Sequence, residues 1–295
     1  MNSVRNGSLK NYVLFFLFVI LVSAAPVYSA SWFSGIGNDG YLNDVTGLYD
    51  ILRKIPGWDD ISDNHFIGTD LSGSKITDSI STLASRMQPG DRLLWYYSGH
   101  GSFVSDADND ESAPGATALN TWDETIGLRN DMHPLTDDAL AAAFQPISDK
   151  DIHIISVLDT CYAGGFVGGA GDVNSVPHIV FMGSGAENQE SYSYSDEPYS
   201  IFTQGLMTGL EVFNASSDPG KILTAFALFD AANSSTLARN LDQNPVFHGN
   251  PEMIISAIHT VPVPGSGWLL LFPLAVIWGV RNRMYPGKGF LACAL

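Results

Sequence analysis

Short runs of aliphatic, β-branched and aromatic residues alternate along the chain with longer stretches whose apolar positions recur every three or four residues. Ser31 to Ile36 has the composition of a first strand. Asp44 to Lys54 carries Val45, Leu48, Ile51 and Leu52 on one helical face, with Asp44 placed to cap it. A brief strand is expected near His65 to Ile67. It is followed by a helix from Ser74 to Met87 that sets Ile76, Ile80, Leu83, Ala84 and Met87 in register and stops at Gln88-Pro89-Gly90. Arg92 to Tyr97 and Ile152 to Leu158 read as buried strands, and Trp122 to Leu128 as part of a hairpin. Thr136 to Phe144 reads as a helix capped by Thr136, with Asp137 and Asp138 in its first turn. Val176 to Met182 predicts a further buried strand, Tyr199 to Val212 and Leu223 to Arg239 two helices, and Pro245 to His248 an edge segment. This succession of strand and helix predicts an α/β fold, a mostly parallel sheet with helices on both faces.

Both ends depart from that pattern. Residues 1–30 carry Arg5 and Lys10, an apolar run from Tyr12 to Val22, and small residues from Ser23 to Ala30, the layout of a secretory signal peptide. The run is short for a membrane span, so cleavage between Ala24 and Ala30 is expected. Near the other end, Val261-Pro262-Val263-Pro264-Gly265-Ser266-Gly267 precedes an apolar stretch from Trp268 to Val280 and then Arg281-Asn282-Arg283. This order suits a membrane segment held with its positive end inside. The tripartite layout over 261–283 resembles the bacterial PEP-CTERM family of sorting tails, with an ordinary membrane anchor as the alternative. Residues 284–295 form a short tail. The expected organisation is a leader, one domain over 31–258, and a C-terminal segment that meets the membrane or a sorting machinery. The resemblance implies an exported protein of the bacterial envelope or surface, anchored or secreted.

The 295 residues are 45% hydrophobic, and no Gly/Ser-rich or Pro-rich linker interrupts the middle, which favours one sizeable core. Thirty-one acidic residues against 14 basic ones give a net charge of −17, which excludes nucleic acid as an expected partner and favours cationic substrates or divalent ions. Of the two cysteines, Cys293 lies in the tail, so the mature domain would carry Cys161 alone. A lone thiol in an oxidising compartment cannot form an internal disulfide, and its presence asks for a reason.

Two strand ends supply one. Tyr96-Tyr97-Ser98-Gly99-His100-Gly101 and Asp159-Thr160-Cys161-Tyr162-Ala163-Gly164-Gly165 each pass from a buried strand into glycine, where an open parallel sheet carries its chemistry. Residues i and i+2 of a strand face the same way, so Ser98 should point with His100 and Asp159 with Cys161. His100 can take the proton of Cys161 and return it to a leaving amine. The backbone N–H groups of Gly101 and Cys161 are the natural donors to a developing oxyanion.

These two boxes together resemble the caspase fold of cysteine peptidases, specifically the bacterial metacaspase-like branch, over roughly residues 31–258. Supporting pieces are Leu42-Asn43-Asp44, Asp123-Glu124-Thr125-Ile126 and Gln243-Asn244-Pro245. The resemblance implies a three-layer caspase-like fold and a Cys161–His100 dyad. It also implies an acidic pocket formed by Asp44, Ser98 and Asp159, and hence polypeptide substrates cleaved after arginine or lysine. A guanidinium seeks paired carboxylate oxygens, which agrees. A carboxylate about 6 Å from a thiolate opposes it by about 3 kcal/mol at an effective dielectric near 20, which a cationic His100 or a basic substrate must offset. No cofactor is required by this chemistry. Calcium is the candidate ion that the resemblance brings, and Asp106, Asp108 and Asp110 are its candidate ligands. Glu111 and Thr117 stand where a full calcium loop needs glycine and glutamate. Two other functions use the same residues: an envelope transpeptidase that passes the acyl group to an amine, and a catalytically silent caspase-fold binding protein.

Overall fold

The computed structural model describes residues 30–38, 40–58, 61–63, 66–67, 72–105, 122–127, 134–169, 171–239 and 242–258. The expected leader, the tail with Cys293 and the acidic run Asp106, Asp108 and Asp110 lie outside them. Among the described residues no helix is long and apolar enough to cross a membrane. The described residues divide into a main unit, reaching Ser217 and resuming over Ile222–Ala257, and a second unit of Asp218–Lys221 with Ile258. In the second unit, the Gly220 N–H donates to the Ile258 carbonyl at 2.9 Å.

The main unit is built on a sheet containing β1 (Ser31–Gly37), β2 (Ile61–Asp63), β3 (Phe66–Ile67), β4 (Arg92–Ser98), β8 (His153–Asp159), β9 (Ile179–Gly183) and β11 (Val246–Gly249). Their order is β11-β9-β8-β4-β1-β2, with β3 also on β1. All pairs are parallel except β11 on β9. The central strands are buried along nearly their whole length, as a sheet covered on both faces requires. Trp32, Ile36, Leu93, Trp95 and Tyr97 belong to one apolar core with Ile76, Ile80, Leu140 and Phe144. Those partners come from α2 (Gly73–Arg86) and α3 (Asp137–Ser148), which pack together on that face. The alternate positions Tyr96 and Ser98 face the other layer, α1 (Leu42–Leu52) and α4 (Ile201–Asn214), with α5 (Ala225–Ala238) packed on α4. The result is the three-layer α/β architecture of the caspase-like fold.

Several boundaries move by one to four residues, and three local readings change. Asp44 does not cap α1: Tyr41 precedes the helix, and Asp44 sits in its first turn with its carboxylate turned to the sheet. Val176 to His178 are not strand, because a 3-10 turn at Val173–Ser175 delays β9 to Ile179. The strand–helix alternation is also broken after His100, where β5 (Gly101–Ser105), β6 (Trp122–Ile126) and β7 (Leu135–Thr136) form a small antiparallel sheet, as β10 (Ile222–Thr224) and β12 (Ile254–Ala257) do later in the chain. The Thr136 cap holds, its hydroxyl oxygen accepting from the Ala139 N–H at 3.2 Å. Pro146 lies inside α3, which continues past it to Ser148.

Candidate active site

Neighbouring strands β4 and β8 end level, with Ser98 opposite Asp159, and the Gly99 N–H extends the ladder to the Asp159 carbonyl at 3.2 Å. His100 and Cys161 follow two residues beyond, at the C-terminal edge of a parallel sheet where side chains from adjacent strands converge. They line one cavity of about 520 Å³ together with Gly101, Ser102, Phe103, Val104, Tyr162 and Glu190.

The turn carrying His100 is held from below. The Tyr97 hydroxyl donates to the His100 carbonyl at 2.8 Å and accepts from the Gly127 N–H at 3.3 Å. The Tyr41 ring stands edge-on to the imidazole, 5.9 Å between centroids. Gly101 is fixed by crowding, since a Cβ there would lie 2.2 Å from the Cys161 carbonyl oxygen and 2.5 Å from Thr160 Oγ1. Only glycine lets β5 cross this close to the cysteine backbone.

Cys161 is half-buried, and its thiol points to the Ser191 carbonyl at 4.0 Å. Burial pushes the thiol up from its ordinary range, and the Glu190 and Asp159 carboxylates push the same way. The peptide before it is clipped by Ser184, whose Oγ accepts from the Thr160 N–H at 3.0 Å and donates to the Thr160 carbonyl at 3.1 Å. Tyr162, the next residue, is left-handed at φ 61°.

Asp44, Ser98 and Asp159 come together, but beneath the cavity and sealed from it, at 1%, 0% and 3% exposure. The Ser98 hydroxyl donates to Asp44 at 2.6 Å, and the Ser200 N–H donates to the other Asp44 oxygen at 2.9 Å. Asp159 accepts from the Ser191 hydroxyl at 2.9 Å, the Thr203 hydroxyl at 2.6 Å, the Thr203 N–H at 3.2 Å and the Ser200 hydroxyl. The first turn of α4 thus donates to both carboxylates, where the helix dipole favours negative charge. Burial, and then the neighbouring Asp159, raise Asp44 to about 6. Ser98 therefore points with Tyr96 into the α4 layer, while His100, past the strand end, turns to solvent.

Sequence reasoning missed Ser191, Ser200 and Thr203, and it named Tyr97 and Gln243 within the two boxes and the supporting pieces without giving either a role. Gln243 is fully buried; its amide donates to the Ser184 carbonyl at 2.7 Å and its oxygen accepts from the Tyr192 N–H at 3.2 Å, tying down the loop beside the thiol. Among the described residues no group of three or more His, Cys, Asp or Glu side chains is arranged to hold a metal ion. The calcium expectation rests wholly on the Asp106 to Asp110 run outside them.

A parallel sheet with a histidine and a cysteine on adjoining strand ends defines a caspase-type α/β domain. The Caspase domain family model matches residues 32–250, and the chain belongs to that family. It is similar to Metacaspase-7 of Arabidopsis thaliana, 29% identical over 133 residues, 43% of this chain and 31% of the relative. Metacaspase-1 of Schizosaccharomyces pombe is 26% identical over 136 residues, 43% of this chain and 30% of that protein. The chain therefore spans about a third of the length of these curated relatives. A crystal structure of a Geobacter sulfurreducens protein superposes with a TM-score of 0.51 at 18% identity, over 77% of this chain and 100% of that one, a likeness of fold. The family match and the mostly parallel sheet agree on a caspase-type fold.

Proposed function

We propose that this chain is an exported endopeptidase that hydrolyses peptide bonds after arginine or lysine through a Cys161–His100 dyad. The observation that carries the reading is the convergence of His100, Gly101 and Cys161 on one cavity at the level ends of β4 and β8. His100 takes the thiol proton, the sulfur attacks the scissile carbonyl carbon, and the oxyanion forms beside the N–H groups of Gly101 and Cys161. The imidazolium then protonates the departing amine. Water, deprotonated by the same imidazole, releases the acid from the thioester. Because burial holds the free thiol protonated, proton transfer accompanies substrate binding rather than preceding it.

Asp44, Ser98 and Asp159 would receive the basic side chain. Its guanidinium or ammonium would take the place of the Ser191 and Ser200 hydroxyls on Asp159, exchanging neutral donors for a charged one. Burial does most to raise Asp44 to about 6 and the like charge of Asp159 adds to it; that cation would relieve the repulsion. The leader and the sorting-like tail direct this activity to proteins outside the cytoplasm or at the membrane. Calcium dependence rests on the Asp106, Asp108 and Asp110 run, and titrating hydrolysis with calcium tests it.

Covalent trapping tests the proposal. A peptidyl acyloxymethyl ketone ending in arginine should alkylate Cys161 in the full chain, adding the peptidyl methyl ketone as a thioether with loss of the carboxylate, and His100→Ala should slow the reaction. Equal labelling by an aspartate-ended reagent would overturn the acidic pocket, and labelling elsewhere than Cys161 would overturn the dyad.

A further inference from the structure

The acidic cluster is sealed, yet a carboxylate does face the open cavity. Glu190 lies exposed on its rim, and among the described residues no Lys or Arg lines it. Beside it stand two aromatic rings. Phe103 is 40% exposed and meets Tyr162 edge-on at 5.3 Å between centroids, and it meets Trp122 in the same way at 5.3 Å. A side chain as bulky as tyrosine is seldom left-handed, and such strain persists only where surrounding contacts impose it. Tyr162 is held there by its N–H donating to the Gln189 carbonyl at 2.8 Å and its carbonyl accepting from the Gly165 N–H at 3.1 Å. That backbone brings the Tyr162 ring to the cavity beside the thiol. The Glu190 charge reaches both the Tyr162 phenol and the Cys161 thiol.

A carboxylate flanked by aromatic rings, in a cavity whose described lining holds no lysine or arginine, is a receptor for a cationic side chain, which pairs with the first and lies against the second. We infer that Glu190, Tyr162 and Phe103 form a second cation subsite, which takes an arginine or lysine next to the residue cleaved, so that the preferred substrates carry paired basic residues. This rests on the peptidase reading above and adds to it a substrate class. Occupation of the subsite also has a chemical consequence. A cation on Glu190 neutralises one of the charges that oppose the thiolate, so a doubly basic substrate helps to ionise the nucleophile that attacks it.

The test uses the full chain and peptide substrates that share one arginine at the cleaved bond, with a second arginine or an alanine placed in turn on each adjoining position. At one position the doubly basic peptide should exceed its alanine partner by about tenfold in kcat/KM, and Glu190→Gln should bring that ratio close to one. A ratio near one in the parent at every position overturns the subsite. So does a Glu190→Gln loss of equal size for both peptides, which would mark Glu190 as a positioning residue for the dyad. Binding supplies a readout free of turnover. Diarginine amide should bind the Cys161→Ala chain about tenfold more tightly than the Cys161→Ala, Glu190→Gln chain. Equal binding overturns the subsite whatever the activity; unequal binding without hydrolysis of any peptide keeps the subsite and discards the peptidase reading.

Discussion

The hydroxyl of Ser200, one residue before α4, is hydrogen-bonded to the carboxylate of Asp159, two residues before Cys161. The same residue's N–H donates to Asp44. The start of one helix therefore closes over both carboxylates expected to bind substrate, and their pairing is structural before it is functional. Asp159→Ala would strand the Ser191, Ser200 and Thr203 donors in a buried site, at a cost of about 2–4 kcal/mol measured by urea unfolding. Asp44→Asn should fold, because the Ser98 hydroxyl can rotate to accept from the new amide. It should lower kcat/KM for arginine peptides by at least tenfold while leaving the rate of Cys161 alkylation within about twofold. Unchanged arginine cleavage in Asp44→Asn would remove that residue from the pocket.

Asp137 gives a pH signature. Its buried carboxylate opens α3, accepting from the Asp138 and Glu124 N–H groups, and burial followed by the nearby Asp172 charge raises it from 3.8 to about 8. A carboxyl that holds its proton more tightly when folded contributes stability that is fully present below about pH 4 and lost as pH rises towards about 8. Asp137→Asn should therefore gain stability relative to the parent as pH rises across that window. Parallel pH profiles of the urea midpoint for parent and variant would contradict this placement of the charge.

The thiol is expected to be slow towards iodoacetamide in the free protein. Burial, then Glu190 and Asp159, hold it protonated. Site-resolved mass spectrometry, which separates Cys161 from Cys293, should show Cys161 alkylation still climbing with pH beyond the midpoint of an ordinary cysteine. Glu190→Gln should move the curve to lower pH. A rate that has levelled off below about pH 7 would mean a preformed thiolate–imidazolium pair.

Much of this arrangement was legible in the chain, for identifiable reasons. The strands Arg92–Ser98 and His153–Asp159 announce themselves by dense apolar runs that end in glycine or a thiol, and parallel pairing then brings His100 and Cys161 side by side. Thr136 was readable because a cap is local. The closure over Asp44 was not, since Ser200 lies 156 residues away and nothing in its neighbourhood signals that contact. Asp44 read as a cap for the same reason: a helix-start aspartate looks alike whether it serves its own helix or another. Tyr97 looked like strand core, and only the fold reveals that its hydroxyl supports the turn at His100. β5 stayed hidden because a five-residue strand, half exposed and containing glycine and serines, resembles a polar loop.

Gly101→Ala isolates the close approach of β5 to the nucleophile. Its Cβ would fall first on the Cys161 backbone, which cannot swing aside, and then on the Thr160 hydroxyl. The expected cost is about 1–3 kcal/mol of stability, with activity reduced at least tenfold because the His100 turn and the Cys161 peptide must separate. Full activity in this variant would mean that the two strand ends are free to move apart without consequence.

The central claim is that Cys161 and His100 cleave after basic residues. Its most direct test is hydrolysis of fluorogenic peptides that differ only in ending with Arg, Lys or Asp, by the full chain beside Cys161→Ala and His100→Ala. Cleavage after Arg and Lys, not Asp, falling by about a thousandfold or more in both variants, is the expected result. Cleavage after Asp alone would contradict the acidic pocket, and activity that survives Cys161→Ala would contradict the dyad.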